Sequence, residues 1–229
     1  MHQRIVDISL ELDARKFHMR SYAGFRKDMQ FEVEVIKEYE DPGMGQIVRG
    51  VHMRLHAGSH IDAPSHMVKG GKDIHDLPIE TFVGPAVVAN LTHRVPGGGI
   101  TVRDLEQAVG ETMERGDRLL LRTDCNNSYD GGSKEWQSRS PYLEHDAVKW
   151  CIDQGIPVVG FDCFHGADSP TSNVEAFTAR ALQEAGVCTL PYLRNLDKIN
   201  KQRVTLICLP LNMIGVEASP VRAVVLEDC

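Results

Sequence analysis

The chain has 229 residues, 42% hydrophobic and 25% charged, a balance that suits a soluble globular fold and excludes global disorder. A formal net charge of -7 gives no electrostatic reason to hold nucleic acid or an anionic membrane surface. No apolar run approaches the roughly 20 residues that cross a bilayer.

The opening Met1-His2-Gln3-Arg4-Ile5-Val6-Asp7 goes straight into a strand-like pattern without the apolar core of a secretory signal, which predicts a cytoplasmic protein. Alternation of apolar and polar residues, or short apolar runs, predicts strands over 5–10, 31–36, 48–55, 85–91, 118–122, 157–162, 204–209 and 221–226. In the second of these, Phe31, Val33 and Val35 alternate with Glu32 and Glu34, as in a strand with one wet face. Pro157-Val158-Val159-Gly160-Phe161 is apolar on both faces, as in a buried central strand. Thr101 with Asp104 reads as a capping box for a helix over 102–109. A second helix is predicted over 143–154, ending at Gly155, and a third over 174–185, capped by Asn173 and ending at Gly186. Gly97-Gly98-Gly99 reads as a surface turn. There is no repeat, low-complexity stretch or composition break, so 1–229 reads as a single domain. Strands outnumber helices and alternate with them only in the second half, which predicts a mixed α/β fold.

Six cysteines, Cys125, Cys151, Cys163, Cys188, Cys208 and Cys229, form no C-x-x-C pair. Most lie in apolar stretches and read as reduced core residues, not as a zinc site.

Five of the ten histidines, His52, His56, His60, His66 and His75, fall in one short stretch. His56, His60, Asp62 and His66 share one parity, so an extended chain would point them the same way. A straight strand would nevertheless separate His56 from His60 by about 13 Å, too far for one ion. A helix is opposed by Gly58 and by Pro64, which drives Ala63 out of helical geometry. A strand that breaks at Gly58-Ser59 and curls would instead bring His56, His60 and Asp62 around one metal. Two imidazoles and a carboxylate leave an open coordination position, as catalytic sites do. Either Mn²⁺ or Zn²⁺ suits that ligand set. His66, just past Pro64, is then free to serve as general base and acid. One histidine alone is most often an ordinary hydrogen-bonded residue. Four ligand-type residues with Gly and Pro in an eleven-residue window are not explained that way.

His56-Ala57-Gly58-Ser59-His60-Ile61-Asp62-Ala63-Pro64-Ser65-His66 resembles the pattern H-x-G-[TS]-H-x-D-x-P-x-H of the cyclase-like metal-dependent hydrolases, which include bacterial kynurenine formamidase and isatin hydrolase. The likeness continues through Val6-Asp7-Ile8-Ser9, Gly84-Pro85-Ala86-Val87-Val88, Leu121-Arg122-Thr123, Trp136, Pro141-Tyr142-Leu143, Gly160-Phe161-Asp162, Leu209-Pro210-Leu211 and Ala218-Ser219-Pro220-Val221-Arg222-Ala223. The resemblance implies a swivelling β/β/α architecture in homodimers or homotetramers. It implies hydrolysis of an amide, formamide or lactone in a small cyclic or aromatic molecule. It also implies that His56, His60 and Asp62 bind the metal and that His66 is catalytic.

The sequence departs from the dinuclear members of that family. Their second metal takes a histidine and a glutamate, and alignment on Gly186 puts Ala179 or Arg180 and Pro191 at those positions. None of the three is a suitable ligand, so one ion per chain is expected. The loop 13–28 also lacks the Pro-rich pattern of many members. Trp136, Tyr142, Asp162 and His165 are weaker candidates for substrate binding. The same ligand set could serve ring closure or elimination, or survive in an inactive binding protein.

Overall fold

The computed structural model describes residues 3–13, 31–39, 45–129, 133–164 and 177–228. The chain opens with β1 (Gln3–Asp7) and continues into an antiparallel two-stranded arm of β2 (Glu32–Lys37) and β3 (Val48–His52). Next come β4 (His60–Asp62), β5 (Val83–Asn90), β6 (Gly99–Ile100), α1 (Val102–Val109) and β7 (Arg118–Arg122). Two short helices, α2 (Cys125–Ser128) and α3 (Lys134–Arg139), precede β8 (Tyr142–Leu143) and α4 (His145–Asp153). The remainder is β9 (Val158–Phe161), α5 (Phe177–Glu184), β10 (Cys188–Leu190), β11 (Arg203–Ile207), β12 (Ala218–Pro220) and β13 (Val224–Asp228).

Nine strands form one curled sheet in the order β1-β13-β11-β5-β7-β9-β10-β4-β12. Its middle, β5 through β10, is parallel, because each connection crosses over through a helix. Both flanks are antiparallel. This is the mixed α/β architecture anticipated above.

Alternation along the strands produces two cores. Val87, Ala89, Leu119, Leu121, Val159 and Phe161 meet Leu105 of α1, Ala147, Val148 and Cys151 of α4, and Leu182 of α5 on one face. Ala86, Val88, Leu120, Val158, Leu206 and Val225 face the inside of the curl with Ile61, Leu190 and Leu193. All four residues of β9 are buried, as predicted for a central strand. Gly160 belongs there because a Cβ would lie 2.7 Å from Leu120 Cδ2 and 2.8 Å from Leu193 Cδ1.

Several expectations shift. Strand 48–55 stops at His52, which frees Arg54 and His56 from extended geometry. The strand expected over 221–226 begins only at Val224, as β13, and Ala218–Pro220 forms a separate strand, β12, that was not anticipated. The three-residue β10 was not anticipated, being too short to show a period. Leu143 is not helical: it pairs with Ile100, and α4 begins two residues later. Most of the loop 13–28, the proposed cap Asn173, His165 and Cys229 lie outside the described residues. The other five cysteines are buried free thiols, and burial pushes Cys125 up to about 11 and Cys151 to about 12. No helix among the described residues is long and apolar enough to cross a membrane.

Candidate metal centre

Gly58 takes φ +65, a left-handed conformation that also leaves room for Leu12, whose Cδ2 would sit 2.7 Å from an added Cβ. The chain reverses there and enters β4 at His60. Ile61 points into the inner core, so His60 and Asp62 on either side of it face the helix-covered side. Ser59 ties the bend down. Its hydroxyl donates to the Tyr192 carbonyl at 2.8 Å and accepts from the Leu10 N–H at 2.8 Å.

Three side-chain atoms then converge. His56 Nδ1 lies 2.8 Å from Asp62 Oδ1 and 3.3 Å from His60 Nε2, and His60 Nε2 lies 3.1 Å from Asp62 Oδ1. Atoms about 2.1 Å from a tetrahedral ion are roughly 3.4 Å apart, so the trio fits a single small cation. The remaining ring nitrogens are committed to acceptors. His60 Nδ1 donates to the Gly58 carbonyl at 2.7 Å, and His56 Nε2 faces Glu217 Oε1 at 3.0 Å. Such partners leave the inward nitrogens as lone-pair donors to a metal. Asp62 is oriented in the same manner, because Thr189 Oγ1 donates to its other oxygen at 2.9 Å.

Sheet register explains both supporting partners. Asp62 stands opposite Thr189 on β10 and opposite Ala218 on β12, whose preceding residue is Glu217. Glu217 and Tyr192 were missed by the sequence reading. The only local signal for Glu217 is an acid set between the apolar Val216 and Ala218. Tyr192 has φ +61, uncommon for a bulky residue, and its ring centroid lies 5.6 Å from that of His60.

His66 ends a 3-10 turn over Pro64–His66, and its ring centroid is 4.4 Å from that of His56. One ligand atom each from His56, Asp62 and His66 fall within 4.8 Å of one another, a looser set than the trio with His60. Burial, helped by His56 and His60 and opposed by Asp62 and Glu217, holds the His66 proton affinity below the usual histidine range. Its imidazole is therefore neutral near pH 7 and able to accept a proton. Burial works against a charge on His56 too, but Asp62 and Glu217 outweigh it and raise its pKa. Without a metal, a proton on His56 occupies the position between two carboxylates; it must leave before His56 can bind an ion.

Two of the weaker candidates, Trp136 and Asp162, are buried. Trp136 is a core residue, 1% exposed, packed 5.3 Å from Phe164 and donating its indole N–H to Asn126 Oδ1 at 2.7 Å. Asp162 is 2% exposed and saturated with donors. Thr123 N–H, Thr123 Oγ1 and Asp124 N–H reach it at 2.9, 2.5 and 2.8 Å, so it joins the ends of β7 and β9. Tyr142 is half-buried on β8. His52 is exposed on β3 and faces Glu34 at 3.2 Å. Ala179 and Pro191 are buried with no donor to offer, and Arg180 is exposed. Among the described residues, the cluster at His56 is the one group of three or more that could hold a metal.

The family model described as putative cyclase matches residues 6–168. A kynurenine formamidase of Bacillus cereus is 30% identical over 220 residues, covering 96% of each chain. A solved structure described as a potential metal-dependent hydrolase with cyclase activity superposes with a TM-score of 0.76 at 26% identity, covering 100% of both chains. Isatin hydrolase A from Labrenzia aggregata shares the fold, with a TM-score of 0.83 at 24% identity over 98% of this chain and 93% of its own. On its sequence, its curled sheet and its histidine-bearing bend, the chain belongs to the putative cyclase family, and the proteins above named kynurenine formamidase and isatin hydrolase are hydrolases acting on C–N amide bonds.

Proposed function

We propose that this protein is a mononuclear metal-dependent amide hydrolase of the cyclase family, acting on an aryl formamide or a cyclic amide. The observation that carries the reading is the convergence of His56 Nδ1, His60 Nε2 and Asp62 Oδ1 within 3.3 Å of one another. A Mn²⁺ or Zn²⁺ held there would polarise the scissile carbonyl and acidify water at an open position. The protein's own residues do the rest. Glu217 and Gly58 hold the two imidazoles in one tautomer, and Thr189 fixes the carboxylate. Neutral His66 takes a proton from the attacking water and passes it to the leaving nitrogen. The kynurenine formamidase relative and the isatin hydrolase fold support an aromatic amide as substrate.

The absence of a histidine at 179 or 180 and of a glutamate at 191 supports one ion per chain over two. Metal analysis of protein purified without added metal tests this. We expect about one Mn or Zn per chain, lost in Asp62→Ala. His66→Ala keeps the ion and loses about 10²- to 10⁴-fold in turnover of N-formylkynurenine or isatin. Two ions per chain would return the assignment to a dinuclear formamidase. Loss of the ion from His66→Ala would make His66 a ligand.

The working form is a cytoplasmic homodimer or homotetramer. Val33, Val35, Ile36 and Val51 leave the β2–β3 arm with exposed apolar surface, which supports association.

A further inference from the structure

The turn that carries His66 is gripped from outside. Met67 follows His66 directly. Its N–H donates to Gln183 Oε1 at 3.0 Å, and its carbonyl accepts from Arg180 Nη1 at 3.3 Å. Gln183 and Arg180 are three residues apart on α5, so they project from the same face of the helix. Both backbone groups of the residue beside the proposed base are thus held by a single helix.

Gln183 is a costly residue to keep for stability alone. It is 1% exposed, and its Nε2 is buried with no hydrogen-bond partner among the described residues. Burying an unpaired amide donor carries a desolvation penalty that offsets what its one bond returns. The choice of oxygen for that bond is forced, because a backbone N–H can only donate. The turn does not depend on Gln183 to exist. His66 N–H bonds Ala63 O at 3.0 Å, Val68 N–H bonds Pro64 O at 2.9 Å, and Met67 N–H has a longer internal bond to Pro64 O at 3.3 Å. Gln183 therefore adds orientation, and it adds it one residue from the imidazole.

We propose that Gln183 and Arg180 form a backbone clamp that sets the attitude of His66 toward the His56–Asp62 pair. Both are positioning residues. This rests on His66 being the base, and the test separates the two ideas. Gln183→Met is nearly isosteric, removes the acceptor and relieves the unpaired donor, so the chain still folds. Gln183→Glu keeps an acceptor oxygen beside Arg180.

Wild type, Gln183→Met, Gln183→Glu and His66→Ala are compared for metal content, kcat and KM on N-formylkynurenine and isatin. A clamp predicts that Gln183→Met keeps its metal and its KM within about twofold and loses about 10- to 100-fold in kcat, with Gln183→Glu restoring most of it. Unchanged kcat in metal-loaded Gln183→Met overturns the clamp, as does loss of the ion, which would place the effect on the metal site. If wild type has no activity, or His66→Ala equals it, the reading of His66 as base is what fails. Crystal structures of wild type and Gln183→Met then still decide the clamp. A displaced or disordered His66 ring supports it, and a superimposable ring overturns it.

Discussion

At position 56 two carboxylates share one imidazole. Asp62 stands on the Nδ1 side and Glu217 on the Nε2 side. Glu217 is separated from His56 by 161 residues, and only the pairing of β12 with β4 brings them together. Its acceptance of the Nε2–H fixes the tautomer and raises the basicity of the nitrogen that faces the ion. Glu217→Leu should therefore weaken metal binding by about 10- to 100-fold, read by competition with a chelator, while Glu217→Gln, which keeps an acceptor, falls between. Equal affinity in all three proteins would show that His56 is oriented by other means. At this scale the convergence of His56, His60 and Asp62 was legible, because Gly58 and Pro64 leave the chain few ways to place them. Their supporting partners were not legible.

The elements best read from sequence were those whose ends are fixed locally. α1 runs over Val102–Val109 as predicted, because Thr101 Oγ1 accepts from Asp104 N–H at 3.3 Å and the Asp104 carboxylate accepts from Thr101 N–H at 2.8 Å. Arg94 Nη2 and His93 Nε2 add bonds of 2.6 and 3.1 Å to the same carboxylate. Despite the burial that opposes its charge, these donors hold the Asp104 carboxyl well below its ordinary value. The folded state thus favours the ionised form. Its contribution is complete above the unfolded pKa of 3.8 and is lost as pH falls below that value. Asp104→Ala should cost roughly 2–3 kcal/mol in urea unfolding at pH 7 and measurably less at pH 3, where the first part of the advantage has gone. An equal loss at both pH values would refute the ionic account. α4 was misread at its start for the opposite reason. Leu143 has helical company in sequence, but Ile100 claims it for a two-residue pairing.

Across the whole molecule the parallel centre sets a pH dependence of its own. Asp162 joins the ends of β7 and β9 from complete burial, and desolvation pushes its carboxyl up to about 7 against the donors of Thr123 and Asp124. The folded chain then retains a proton that the unfolded chain releases near 3.8. Stability should fall as pH rises from about 4 to about 7, with a slope approaching 1.4 kcal/mol per pH unit. Asp162→Asn places an amide donor toward Asp124 N–H and lowers stability throughout, but it should remove this slope. Urea midpoints at pH 5 and 7.5 compare the two proteins, and identical slopes would show that Asp162 is ionised throughout.

By itself the sequence determined the features set by short-range rules. The central strand 158–161 follows from an apolar run, α1 from its capping box, and the bend at Gly58 from the misfit of His56 and His60 to any straight element. The tertiary structure decided what depends on residues far apart in the chain. It set the strand order and the three-residue β10, whose length shows no period. It placed Trp136 in the core and Asp162 at a strand junction, where the sequence allowed a substrate pocket. It put Glu217, Thr189, Tyr192 and Gln183 around the histidine bend. Those contacts arise from sheet register and helix packing, which are fixed by burial across the whole chain and leave no local pattern in it.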